Sequence, residues 1–328
     1  MLPRSKHEDC SALEWFNKKQ CRISSLSISL PGCDIPGLQA KNLKIDNINL
    51  YIDYNTTIEC YQEFIELHVC DRVNSISFEG YHNREVVEQL SICSRSVKQL
   101  TIRRFANCMD WLTADILSRW KLTEINLADC ESEIVIFIVQ ICTELTSIKL
   151  DSMCIDDFTI TTITQHCPKL KLLMLRQHSM TYNSLLSLSE QSLHLEELYI
   201  TSSIPYIPTA DIARRCSHAL SCISYIDTSQ LYYKNSDATI LIPYMTGLTS
   251  VCLSDHGYSY IPLLTQHCRK LTTIIVADDN WPVADILSFC RTYPLLQVFN
   301  CYRHTGVTDT VLIELLHACP HIHTMAVN

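Results

Sequence analysis

Cysteine and histidine carry most of the reactive chemistry in this chain, with 18 and 13 copies among 328 residues. One stretch, His317-Ala-Cys319-Pro-His321-Ile-His323, has the donors of a tetrahedral metal shell, three imidazoles and a thiolate. Its placement argues against that use. A helical apolar pattern ends at Cys319 and a strand pattern follows, so His317 and Cys319 close one element while His321 and His323 flank the next. No C-x-x-C occurs, which removes the zinc-ribbon and thioredoxin spacings. No G-x-S-x-G elbow and no H-E-x-x-H is present, so neither an esterase-type nucleophile nor a helical zinc site is signalled. With only 6 Gly, phosphate-cradling loops have no raw material. The reading is of a chain that is not an enzyme, with no catalytic residues, no metal and no cofactor.

A second set of cysteines is periodic. Cys70, Cys93, Cys142, Cys167, Cys216, Cys268, Cys290 and Cys319 each precede an apolar segment by three to five residues and close a stretch of helical period. Cysteine is among the most buried residue types, so a ladder of small buried side chains at helix ends explains the series without redox chemistry. Helices packed about 8–10 Å apart also exceed the Cα separation of roughly 4.4–6.8 Å that a disulfide spans. The segment Met1–Cys10 is charged and is not followed by an apolar core, which does not read as a signal peptide. Reduced thiols and a cytoplasmic or nuclear location are therefore expected.

Charge and hydropathy exclude further classes. The 26 basic and 35 acidic residues give a net charge of −9, unlike the basic face of a nucleic-acid binder. The longest apolar run, Ile134–Val139, falls far short of the ~20 residues of a membrane span. No nucleic acid and no membrane is expected as a partner. Apolar residues at 47% and charged residues at 19% make this a folding chain.

The elements that position these residues come from repetition. The pattern L-x-x-L-x-L, with other apolar residues allowed, is clear in Leu122-Thr-Glu-Ile125-Asn-Leu127, Leu145-Thr-Ser-Ile148-Lys-Leu150 and Leu195-Glu-Glu-Leu198-Tyr-Ile200. Its fourth position falls at 26, 48, 76, 100, 125, 148, 173, 198, 223, 251, 274, 298 and 325, weakest at 26, 48 and 223. The mean step is about 25 residues, inside the window of leucine-rich repeats. Between copies lie helical patterns such as Ile155–Cys167 and Val307–Cys319, each opened by a Thr or Asp suited to an N-cap.

The segments CIDDFTITTITQHCPKLKLLML at 154–175, GVTDTVLIELLHACPHIHTM at 306–325 and LTEINLADC at 122–130 resemble the cysteine-containing leucine-rich repeat of F-box/LRR substrate receptors and their F-box-less, RNI-like relatives. The resemblance runs over 22–328 and departs from the family at the end of the strand–turn segment. Only Cys130 fits there, while Met153, His178, Ser203 and His256 stand at the equivalent places. It implies an α/β leucine-rich-repeat solenoid, a horseshoe of about 13 repeats with parallel strands on the concave face and helices on the convex face. The implied organisation is a flank or capping helix over 1–21, around Ser11–Phe16, and one repeat domain over 22–328. No L-P-x-E-type F-box motif is found, and Met1–Cys21 is too short to hold one. Two readings stay open, a piece of a longer F-box protein and a stand-alone repeat protein.

Alternation along each strand places every second residue on the concave face. The candidate partner-binding set is Arg103, Glu124, Asn126, Lys149, Asp151, Met174, Arg176, Glu197, Tyr199, Ile275 and Phe299. Leu172, Ile226, Cys222, Cys252 and Cys301 are placed on the same face, and the loops Tyr258–Tyr260 and Tyr302-Arg303-His304 beside it. Apolar side chains ringed by charge are a protein-binding pattern, and Tyr, Met and Arg are common anchors. The resemblance implies a protein substrate or regulatory partner on this face, in substrate selection for a Skp–cullin–F-box-type ubiquitin ligase. A Skp-type adaptor and a cullin join that list if an F-box lies outside this chain. The alternatives are a stand-alone scaffold or regulator without a ligase and a concave-face sensor of a small ligand.

Overall fold

A computed structural model describes residues 22–29, 44–52, 72–80, 84–103, 111–151, 155–176, 179–200, 204–227, 238–254, 257–277, 282–301 and 307–327. It divides into two compact units, Met1–Ser152 and Met153–Asn328. The expected capping helix in 1–21, Cys70, the four departures at Met153, His178, Ser203 and His256, and the Tyr302–His304 loop lie outside the described residues.

The first unit contains β1 (Arg22–Ser29), β2 (Lys44–Ile52), β3 (Val73–Glu79), β4 (Gln99–Arg103), β5 (Glu124–Ala128) and β6 (Ser147–Asp151), with α1 (Arg84–Cys93), α2 (Ala114–Arg119) and α3 (Ser132–Ile141). Its strands lie side by side in chain order, each parallel to the next. In the second unit, the strands are β7 (Leu172–Leu175), β8 (Glu197–Ile200), β9 (Ile223–Asp227), β10 (Ser250–Leu253), β11 (Thr273–Val276), β12 (Val298–Cys301) and β13 (Thr324–Val327). They too are parallel and in chain order. Its helices are α4 (Asp157–His166), α5 (Tyr182–Gln191), α6 (Ala210–Arg215), α7 (Ser217–Ser221), α8 (Ala238–Leu241), α9 (Ile261–His267), α10 (Val283–Arg291) and α11 (Asp309–Ala318). All thirteen repeat positions read from the sequence fall inside strands.

Alternation builds the core. On β5, Ile125 and Leu127 are buried while Glu124, Asn126 and Ala128 are half-buried on the open side. Parallel strands need a crossover, and the helices supply it with one apolar stripe each. Ile134, Val135, Ile138 and Val139 are buried on α3, and Ile286, Leu287, Phe289 and Cys290 on α10. Helix starts follow the local chemistry. Asp156, Thr181 and Thr209 accept from the N–H groups of Thr159, Asn183 and Ile212 at 2.9, 3.2 and 3.3 Å. Thr308 takes the extended N-cap conformation before α11 without a side-chain cap bond.

One joint recurs between helix and strand. The residue that ends the helix donates its N–H to the carbonyl four residues back. This holds for Ser94, Cys142, Cys167, Ser192, Cys268 and Cys319, at 2.8 to 3.1 Å. Three residues on, an apolar N–H returns to the cap's carbonyl, as in Leu170 to Cys167 and Ile322 to Cys319. The strand starts five residues after the cap, as with Cys167 and Leu172 or Ser192 and Glu197. The cysteine ladder is thus partly displaced from its expected membership. Ser94, not Cys93, fills the cap after α1, because Cys93 still belongs to the helix and is only half-buried. After α10 the C-cap is Thr292 and Cys290 sits inside the helix, while the returning bond runs to the next residue, from the Leu296 N–H to the Tyr293 carbonyl at 3.0 Å.

Candidate partner-binding face

The open side of the strands, opposite the helices, carries the candidate residues. In the first unit the ladder is regular. Gln99, Glu124 and Ser147 are aligned across β4, β5 and β6, then Thr101, Asn126 and Lys149, then Arg103, Ala128 and Asp151. Asn126 and Lys149 are direct neighbours, whereas Arg103 and Asp151 stand two strands apart, on the order of 10 Å. On β3, Glu79 accepts a hydrogen bond from the Tyr51 hydroxyl of β2.

In the second unit Leu172 pairs with Glu197, and Met174 with Tyr199. Between β8 and β9 the register shifts. Leu198 pairs with Ile223, but Tyr199 pairs with Tyr225. Ser224 and Tyr225 both stay on the open side, and Ile223 and Ile226 are both buried, three residues apart instead of two. The rings of Tyr199 and Tyr225 stack with centroids 5.3 Å apart and planes 19° from parallel. Burial, then the neighbouring Cys252, Asp227 and Tyr199, push the Tyr225 phenol above its ordinary range. Ser254 donates its hydroxyl to Asp227 Oδ1 at 2.5 Å, so the end of β9 carries an oriented carboxylate. Met174 and Tyr199 are half-buried, and Glu197 and Arg176 are exposed. Ile275 is half-buried on the open side of β11.

Four placements differ from the sequence reading. Phe299 is fully buried and belongs to the core. The returning bond is to Tyr293, so the first buried strand residue is the sixth after it, which is Phe299, and Val298 and Asn300 take the open side. Cys301 follows Phe299 inward for the same reason. Ile226 is buried, and Tyr225 holds the open-side place. Cys222 is buried as the C-cap of α7, with its Sγ donating to the Leu195 carbonyl at 3.0 Å. Tyr225 is the residue that sequence reasoning missed. Its signal was the spacing Ile223-x-x-Ile226, which no two-residue alternation can bury without a bulge.

The buried thiols have the opposite of catalytic character. Burial pushes Cys142 and Cys268 up to about 12 and Cys216 and Cys301 to about 11. Cys130 rises to about 11 through burial and then Asp129. A nucleophilic cysteine needs a depressed value. Several thiols act instead as weak donors to main-chain carbonyls of the preceding repeat, Cys268 to Met245 at 3.5 Å and Cys319 to Cys290 at 3.3 Å. Cys319 is fully buried while His317, His321 and His323 are exposed, so the structure does not bring that run together. Among the described residues no group of three His, Cys, Asp or Glu is arranged to hold a metal. No helix among them is long and apolar enough to cross a membrane.

No family model matches the chain, and no curated protein matches it. Among solved structures, a chain of the crystal structure of the Rad7 and Elc1 complex in yeast gives a TM-score of 0.55 at 14% identity, over 92% of this chain and 81% of that one. The Leptospira interrogans LRR protein LIC12759 gives 0.42 at 12% identity, over 100% and 82%. A chain of the TLR13–ssRNA13 complex gives 0.37 at 12% identity, over 94% and 39%. This chain is an α/β leucine-rich-repeat solenoid, with parallel strands in chain order, helices between them and apolar residues on a period of about 25.

Proposed function

We propose that the chain is a protein-recognition module that binds a partner through the open face of its strands and contributes no chemistry of its own. The observation that carries this reading is the stacked Tyr199–Tyr225 pair, set beside Met174 on a sheet face that the helices leave uncovered. Half-exposed aromatic and Met side chains ringed by charge have the composition of an interface centre rather than of a solvated sheet. Arg103, Glu124, Asn126, Lys149 and Asp151 in the first unit, and Arg176, Glu197 and Ile275 in the second, are the remaining contacts in this reading.

The finer reading is substrate selection for a Skp–cullin–F-box-type ubiquitin ligase. The cysteine-containing repeat supports it, as does the fold shared with a chain crystallised in the Rad7 and Elc1 complex. Such a receptor acts by raising the effective concentration of its substrate beside the transfer enzyme.

The test is affinity purification of the chain from its native cells, as wild type and as the Met174→Asp, Tyr199→Asp and Tyr225→Asp variants, with mass spectrometry of co-purifying proteins. The wild type is expected to bring down substrates that the variants lose while their thermal unfolding is nearly unchanged, and a Skp-type adaptor and a cullin among its partners would place it in a ubiquitin ligase. Partners recovered without adaptor or cullin leave a stand-alone scaffold. Unchanged recovery by folded variants removes the open face from the mechanism.

A further inference from the structure

The Tyr199–Tyr225 stack is bracketed by negative charge. Glu197 stands two residues before Tyr199 on the same face of β8, and Asp227 stands two residues after Tyr225 on the same face of β9. Tyr199 and Tyr225 are partners across the ladder, so the two carboxylates lie at opposite ends of the aromatic pair, on the order of 13 Å apart along the strand direction. On the β10 side Ser250 and Ser254 are half-buried and Cys252, placed on the open face by the sequence pattern, is buried, and none of the three is charged. On β7 the pair meets Met174, with Arg176 beyond it, about two strands from Asp227. The chain as a whole is negative, at −9.

We infer that this patch takes a cationic side chain of the partner, an arginine packed against an outer face of the stacked tyrosine pair with its guanidinium directed to Asp227 or Glu197. The inference rests on the reading of the open face as the partner surface and names the chemistry of what binds there. An aromatic face attracts a cation through its quadrupole, most strongly when the cation is planar and weakly hydrated. Because the two rings stack on one another, the face left for a guanidinium is the outer one of either ring. The flanking carboxylates accept its N–H groups, and the Ser254 hydroxyl already orients one of them. An acidic segment would meet two carboxylates and a π face of the same sign. A purely apolar one would leave Glu197 and Asp227 without a counter-charge from the partner.

The test is NMR of the full chain carrying 13C-labelled tyrosine rings, with the two signals assigned through Tyr199→Phe and Tyr225→Phe. The probe is the peptide Gly-Ser-Arg-Gly-Arg-Ser-Gly, alongside versions in which citrulline or glutamate replaces arginine. The arginine peptide is expected to move both ring signals saturably. The citrulline peptide, which keeps shape and loses charge, should bind about threefold to fivefold more weakly, and the glutamate peptide should not bind. Asp227→Asn and Glu197→Gln should narrow the gap between arginine and citrulline. Equal binding of arginine and citrulline, or unmoved ring signals with all three peptides, overturns the cationic occupant without needing any variant to fold. If the rings stay still while Tyr199→Asp and Tyr225→Asp abolish partner recovery, the open-face reading stands and the cation is wrong. If the arginine peptide binds while folded variants keep every partner, the cation site stands and the open-face reading falls.

Discussion

Strands β8 and β9 are neighbours in one unit but are reached by different joints. Strand β8 follows the common pattern. Ser192 caps the helix, Leu195 returns a hydrogen bond, and the strand opens at Glu197. Strand β9 has no such joint. Cys222 caps α7 and Ile223 is already strand. Four connecting residues transmit register from one repeat to the next, and removing them releases it. The ladder slips, two successive residues of β9 stay on the open side, and Tyr225 arrives beside Tyr199. The irregular repeat therefore builds the stacked aromatic pair on which the proposed interface is centred.

The largest effect that would break this contrast is expected at Gly247. It lies two residues after Met245 in the turn leading to β10, a place where other repeats carry Glu144, Lys169 or Lys270. A Cβ there would meet the Ser221 carbonyl oxygen at 2.0 Å, because the short joint presses against this turn. Gly247→Ala should cost about 3 kcal/mol or more, since backbone has to move. A thermal midpoint within a degree of wild type would show that the short joint is not tightly held.

The regular side is probed at Asp157, the residue that ties α4 to α5. Its carboxylate accepts from the Thr181 N–H at 2.7 Å, the Thr181 hydroxyl at 2.6 Å and the Ser184 hydroxyl at 2.5 Å. Burial alone would raise the carboxyl, and these bonds, with Asn183, outweigh it and hold it below its ordinary range. Asp157→Asn should cost roughly 2 kcal/mol at pH 7. A lowered folded value stabilises fully above about pH 5 and is lost as pH falls through it. The urea midpoints of variant and wild type should therefore converge in acid, and a gap that persists there would assign the loss to packing instead.

Smaller changes sharpen the joint itself. Ser192 and Ser94 occupy caps that Cys142, Cys167, Cys268 and Cys319 fill elsewhere, and their hydroxyls are buried without a hydrogen-bond partner. Ser192→Cys should stabilise by about 1 kcal/mol, because a thiol is less costly to bury than an unsatisfied hydroxyl. A destabilised variant in urea melts would mean the site is shaped for oxygen. Least of all, Asp129 holds φ at 54° in the turn after β5, where the turn after β3 uses Gly80 at φ 87°. Asp129→Gly should raise stability by about 0.5 kcal/mol, and calorimetry reading no gain would show that the aspartate has other compensation.

Most strands were legible because a buried pair such as Ile125 and Leu127 two residues apart writes itself into the sequence. The joint was legible through Cys-Pro-x-apolar runs at Cys167–Leu170 and Cys319–Ile322. Tyr293-Pro294-Leu295-Leu296 makes the same returning bond from a tyrosine, but its two adjacent leucines offer two registers. Anchoring on Leu295 turned Phe299 outward. Tyr225 was hidden for a different reason. A bulge follows from a missing connection and a close approach elsewhere in the chain, Gly247 against Ser221, which no local periodicity contains. The open-face residues of β5 and β6 needed only alternation, so Glu124, Asn126, Lys149 and Asp151 fell where expected.

The thiols under the helix ends also make the chain its own stopwatch. Cys142, Cys216, Cys268 and Cys319 belong to different repeats, and burial suppresses the thiolate at each. An alkylating reagent reaches each sulfur only when its own repeat opens. Timed alkylation followed by peptide mass mapping would then give the order in which the array comes apart, repeat by repeat, with no residue substituted.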